Sequence, residues 1–129
     1  MLLGITKLSE VTGMTKYTIR NFIANFTIES QGKEGKNHLY GERTIYQLLA
    51  IKKLMRLGIE KNYIKIILDI KTTERRLGKE IFDFHLYFSD SNVFLYDEKE
   101  NFDDLIYAFF SIEDEFKQIT KKEELWAKN

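Results

Sequence analysis

Gly13 falls between two short runs of helical periodicity, and that placement constrains the N-terminal part of the chain more than any other feature. Before it, Leu8 and Val11 lie three residues apart, and Thr6 is positioned to cap a helix that runs through Thr12. After it, Thr15 is a natural N-cap for a second helix with Lys16 onward inside it. A residue with no Cβ supplies the left-handed conformation that a tight turn between two helices requires. Helix, short glycine turn and helix is the helix-turn-helix layout.

The second helix sorts its side chains by face. Ile19, Phe22, Ile23 and Phe26 fall on one side and are expected to pack on the first helix. Lys16, Tyr17, Arg20, Asn21 and Asn25 fall largely on the other. Two cations, a phenol and amides suit phosphates and base edges in a major groove, since Arg can fork onto guanine and Asn onto adenine. An ordinary solvated helix face would show the same spacing, so periodicity alone leaves both readings open.

The segment "FTIESQGKEGKNHLY" reads as a β-hairpin with strands at Phe26–Glu29 and Asn37–Tyr40, turning through Gly32 and Gly35 with Lys33 and Lys36 at the tip. A basic hairpin directly after a candidate recognition helix has the character of a wing. Next, Ile45, Leu48, Leu49, Leu54 and Leu57 give a helical apolar face that Gly58 closes, and Tyr63, Ile64, Ile67 and Leu68 line a further helix.

With these elements in order, the chain over about residues 3–70 resembles the N-terminal winged helix-turn-helix domain of the MerR family of bacterial transcription regulators. The residues that carry the resemblance are Ile5-Thr6-Lys7-Leu8-Ser9, Thr12-Gly13-Met14-Thr15, Thr18-Ile19-Arg20 and His38-Leu39-Tyr40, then Ile51 to Ile59 and Ile64 to Leu68. The resemblance implies a DNA-binding set of Thr15, Lys16, Tyr17, Thr18, Arg20 and Asn21 at the recognition helix, with Lys33, Lys36, His38 and Tyr40 on the wing. Two departures from the family pattern stand out. Asn21, Phe22 and Ile23 replace an aromatic pair and a Glu, and His38 replaces an Arg, which weakens that contact near neutral pH.

The formal net charge of zero conceals a split. Residues 1–76 carry 14 Lys/Arg against 7 Asp/Glu, whereas residues 77–129 carry 6 against 13. A basic half suited to a polyanion therefore precedes an acidic half with a different task. We accordingly divide the chain into a DNA-binding domain at 1–72 and an acidic region at 73–129 for dimerisation or partner binding. Lys71 to Lys79 reads as a polar, partly linking stretch. "IFDFHLYF" alternates Phe82, Phe84, Leu86 and Phe88 with Asp83, His85 and Tyr87, as a strand with one apolar face does, and "VFLYDE" is expected to pair back on it. His85 is expected to face solvent or be satisfied by a neighbour rather than bind a metal, and "DEKENFDD" to be a solvated loop and helix start.

From Asn101 onward, a helix is expected with Asp103 and Asp104 in its first turn. Phe102, Leu105, Phe109, Ile112, Phe116, Ile119 and Trp126 then form a heptad-like seam. That seam fits either an intramolecular core with the hairpin or a subunit interface; the resemblance implies a C-terminal dimerising helix and favours the interface. The fold class is thus α+β, mainly α: a winged helix-turn-helix, a β-hairpin and a dimerising helix.

With no Cys and only two His, a disulfide or a protein metal cage is not expected, and no cofactor is implied. No run approaches the roughly 18 apolar residues of a membrane span, and the N-terminal residues lack a signal-peptide layout, so a cytoplasmic location away from membranes is expected. No phosphate-binding glycine loop or nucleophile–base pair points to an enzyme. The function expected is sequence-specific binding of double-stranded DNA by a homodimeric regulator, with a protein partner for the acidic half as a further candidate. The alternatives are an excisionase-like or plasmid-maintenance accessory factor of a mobile element, and an interaction module that has lost DNA binding.

Overall fold

The computed structural model describes residues 2–73 and 81–127. Two helices, α1 (Ile5–Thr12) and α2 (Lys16–Asn25), lead into a hairpin of β1 (Gly32–Glu34) and β2 (Asn37–Leu39). Helices α3 (Glu42–Arg56) and α4 (Lys61–Thr73) follow. The C-terminal half contributes β3 (Asp83–Phe88), β4 (Val93–Tyr96), β5 (Ile106–Ser111) and α5 (Glu113–Ala127). The fold class is α+β, with two separate antiparallel sheets.

The helical half forms where apolar spacing and stop signals agree. Leu8 and Val11 of α1 and Ile19 of α2 are buried, as the 3.6-residue period requires. Helix α3 buries Ile45, Leu48, Leu49, Ile51 and Leu54. Gly58, at φ 78°, ends the turn after it, and the Ile59 amide reaches back to the Leu54 carbonyl at 3.3 Å. Leu57, expected on the apolar face, is exposed, because the chain leaves the helix there. Ile64, Ile67 and Leu68 of α4 complete this part of the core.

Three N-terminal expectations need correction. Helix α1 starts at Ile5 with Gly4 as its cap, so Thr6 lies inside the first turn and makes no cap. The first hairpin strand is Gly32–Glu34 rather than Phe26–Glu29; Lys33 pairs with His38 in the ladder, and only Lys36 sits in the turn beside Gly35. The segment expected to be a strand instead carries Thr27 at φ 52° and sends the Ile28 amide back to the Ile23 carbonyl, an irregular exit from α2. Pairing continues past the ladder, where Leu3 and Tyr40 exchange two backbone hydrogen bonds of 2.7 Å.

The larger correction concerns the C-terminal seam. Phe102 and Leu105 lie in the loop before β5, Phe109 lies on β5, and Ile112 is the single residue between β5 and α5. Only Phe116 and Ile119 fall on described side chains of the helix; the side chain of Trp126 lies outside the described residues, as do residues 74–80 of the expected linker. The single long helix is therefore a strand and a shorter helix. Ile106, Tyr107, Phe109 and Phe110 favour a strand, and β3 offers them a free edge, so cross-strand pairing overrides the helical spacing. In register, Phe84 faces Phe110, His85 faces Phe109 and Tyr87 faces Tyr107. Helix α5 starts late: the Ser111 hydroxyl accepts from the Glu113 amide at 3.3 Å, and Glu113, Asp114 and Glu115 are the acids in its first turn.

Three residues of that apolar set serve the chain's own core. Ile112 and Ile119 are buried in the same core as α1 and α3, and Phe116 packs edge-on against Tyr46 and tilted against Phe82. Tyr46 of α3 donates to the Ile81 carbonyl at 2.6 Å, Tyr63 of α4 donates to the Ser91 carbonyl at 2.9 Å, and the Ile112 amide donates to the Phe82 carbonyl at 3.0 Å. One apolar core thus runs from α1 through α3 and α4 into the inner face of the sheet.

Candidate nucleic-acid interface

The turn between α1 and α2 is held by a compact set of short polar side chains. Gly13 sits at φ 71° and its amide donates to the Ser9 carbonyl at 3.0 Å. Ser9 Oγ donates to the Met14 carbonyl at 2.6 Å, and Thr12 Oγ1 donates to the Leu8 carbonyl while accepting from the Met14 amide. With Met14 buried, the turn is pinned from both sides and the direction of α2 is set. Thr15 caps α2 as expected, accepting from the Thr18 amide at 3.1 Å.

The face of α2 that turns away from Ile19 carries Lys16, Tyr17, Arg20 and Asn21, all exposed. At 3.6 residues per turn these four span an arc of roughly 140°. Tyr17 stands 75% exposed, too open for a core aromatic. Ala24 lies exposed inside the same arc, so the helix surface is low there and its backbone can approach a groove. Thr18 differs from its neighbours: it is half-buried, and its hydroxyl lies 2.9 Å from that of Thr15, so it serves the cap.

An open groove of ≈ 460 Å³ joins this helix to the hairpin. Arg20 lines one side, and Lys36, Asn37 and His38 line the other. Lys33 is not on that groove, but it stands directly across the ladder from His38. His38 Nδ1 is 3.0 Å from Ser30 Oγ, which fixes the ring beside the strand. The hairpin base is tied down by Gln31, whose Oε1 accepts from the Gly41 amide at 2.6 Å. Tyr40 also lines the groove. It is buried, and loss of water around the phenol raises its pKa above the ordinary 10.0. Tyr40 is thus a supporting residue of the hairpin base, not an exposed contact. Thr6 and Lys7, in the first turn of α1, line the same groove and were not in the expected set.

The folded chain therefore gathers Lys16, Tyr17, Arg20, Asn21, Lys36 and His38 around one helix face and one groove, with Lys33 beside it. Residues 3–71 match the family model described as MerR HTH family regulatory protein. The chain belongs to the MerR family. The MerR-type region runs from Leu3, where the chain pairs with Tyr40, to Lys71 near the end of α4, and it holds the helix-turn-helix, the hairpin, α3 and all but the last two residues of α4. The fold's second sheet and α5 lie beyond the match. No curated protein matches this MerR-family chain. Among the described residues there is no group of three or more His, Cys, Asp or Glu placed to hold a metal ion, and no helix is long and apolar enough to cross a membrane.

Proposed function

We propose that this MerR-family chain binds double-stranded DNA sequence-specifically, with α2 in the major groove and the β1–β2 hairpin as a wing on the backbone. The observation that carries this reading is the exposed face of α2, where Tyr17, Arg20 and Asn21 stand clear of the core and Arg20 lines a groove shared with Lys36 and His38. Arg20 and Asn21 are the base readers, by hydrogen bonding to base edges; Lys16, Lys33, Lys36 and His38 hold phosphates. Tyr17 lies over the sugar–phosphate backbone. Thr15, Thr18 and Tyr40 act by fixing the helix start and the wing base.

A ten-residue recognition helix covers only a few base pairs, so the chain acts as a pair of copies on two half-sites. Of the expected seam, Ile112, Phe116 and Ile119 serve the chain's own core and are not offered to the second copy.

Selection of sites from a random duplex pool, at about physiological ionic strength, tests the reading. Enrichment of an inverted repeat is the expected result. Enriched direct repeats would instead make the chain an accessory factor that binds head to tail. A pool that stays random, together with DNA retention insensitive to salt, would sink the DNA-binding assignment.

A further inference from the structure

The three-stranded sheet has two faces, and only the inner one is used by the core. An antiparallel sheet facing water normally places polar side chains on its outer surface. Here that surface carries His85 and Tyr87 on β3, Tyr96 on β4, Tyr107 and Phe109 on β5, and Phe102 laid across from the β4–β5 loop. Phe109 is half exposed, yet its ring lies 4.8 Å from that of His85, so it belongs to a continuous aromatic layer rather than standing alone.

The loop that crosses this layer is acidic and is held in place. Residues 97–104 contain Asp97, Glu98, Glu100, Asp103 and Asp104 against the single cation Lys99. The Tyr87 hydroxyl is hydrogen-bonded to both the amide and the carbonyl of Glu100, and the Phe102 ring sits 5.1 Å from Tyr87 and 5.3 Å from Tyr96. Asp103 and Asp104, both exposed, follow at once. Lys99 shows what such a surface takes: its ammonium lies 5.4 Å from the centroid of the Tyr107 ring.

We propose that the outer aromatic face of this sheet, with its acidic loop, docks a cationic segment of another protein, one that presents arginine or lysine side chains to the rings. Aromatic faces attract cations through their ring quadrupoles, and guanidinium groups also stack on them. The carboxylates supply steering and a rim. The same charge argues against the two other occupants of an aromatic sheet face. Two identical copies would oppose their acidic loops, and a nucleic acid that stacked its bases here would bring its phosphates against five carboxylates. The site is separate from the α2 face, and the proposal does not depend on the DNA reading.

The test uses the full chain and a fluorescently labelled peptide of alternating arginine and glycine, followed by anisotropy, with a glutamate–glycine peptide as control. Arginine-peptide binding should weaken with salt and fall by about 2- to 30-fold in Phe109→Ala, the range expected for loss of one cation–π contact. Asp103→Asn with Asp104→Asn, two exposed and conservative changes, should also weaken it. Lys99→Ala should tighten binding, and by more than Lys117→Ala, which removes an equal charge from α5. Affinity that responds to the Asp changes but not to Phe109→Ala would mean unspecific charge attraction and would overturn the proposal. So would a concentration-dependent dimer that Phe109→Asp abolishes, which would give the face to a second copy. Site selection on DNA by Phe109→Ala should match that of the unaltered chain, which separates this result from the fate of the DNA assignment.

Discussion

The Tyr87 hydroxyl donates to the Glu100 carbonyl at 2.9 Å and accepts from the Glu100 amide at 2.6 Å, so one side chain beneath the aromatic layer ties down the loop above it. Tyr87→Phe keeps the ring contacts with Tyr96, Phe102 and Tyr107 and removes only the hydroxyl. The expected cost is about 1–3 kcal/mol, because a part-buried amide and carbonyl lose their partner. Hydrogen exchange should accelerate at the Glu100 amide well before it does in β3. Unchanged protection at Glu100, with the variant folded, would show that the loop is held by something other than this hydroxyl.

How legible was all this in the chain itself? The helix-turn-helix is readable because its determinants are local: Gly13 at the turn, Thr15 at the cap and Ile19 at helical spacing from Phe22 and Ile23 each act within one or two helical turns. The sheet was only half readable. Phe82, Phe84 and Leu86 are buried as alternation predicts, but Tyr87, on the opposite side, is also buried, because Phe102 and Tyr107 cover it from more distant parts of the chain. The segment from Phe102 to Ile119 carries apolar residues at helical spacing and β-forming residues at once. The open edge of β3 decided between them, and an edge is a property of the fold, not of the segment. For the same reason, the local sequence does not place Thr6 and Lys7 at the groove: their position along it with Lys36 depends on the Leu3–Tyr40 pairing.

On the proposed DNA face, Arg20 and Lys33 should separate base reading from backbone binding. Arg20→Ala is expected to cost about 1–3 kcal/mol and to relax preference at one position of the site. Lys33→Ala should weaken every sequence alike and lower the slope of log affinity against log salt by about 1. Quantitative binding to the selected site and its single-base variants checks both. Two variants that bind as the unaltered chain does would remove α2 and the hairpin from the interface.

Thr44, in the first turn of α3, is buried, and its hydroxyl has no hydrogen-bond partner. Burying a hydroxyl without a partner costs roughly 1–3 kcal/mol, and valine has nearly the same shape without that group. Thr44→Val should therefore stabilise the chain by about 1 kcal/mol, after allowing for valine's slightly lower fit to a helix. Urea denaturation at neutral pH measures it. A loss of stability instead would show that the hydroxyl has a partner in solution, such as a bound water.

Alkaline pH tests the aromatic burial in both halves. Tyr40 has its pKa raised above the ordinary 10.0 by loss of water around its phenol, and Tyr107 has its pKa raised by the same cause with a further contribution from Tyr87. In the unfolded chain both phenols ionise near 10.0, whereas in the folded chain they hold their protons to higher pH. The folded state then binds more protons than the unfolded state above pH 10.0, and the slope of stability against pH is negative there. Stability should accordingly be undiminished by these groups below pH 10.0 and fall as the pH rises beyond it. Tyr40→Phe and Tyr107→Phe should each flatten that fall, since a phenyl ring has no proton to lose. Urea midpoints on either side of pH 10.0, read alongside tyrosinate absorbance, would expose the opposite case: equal slopes in the unaltered chain and both variants would mean that neither phenol is shielded by the fold.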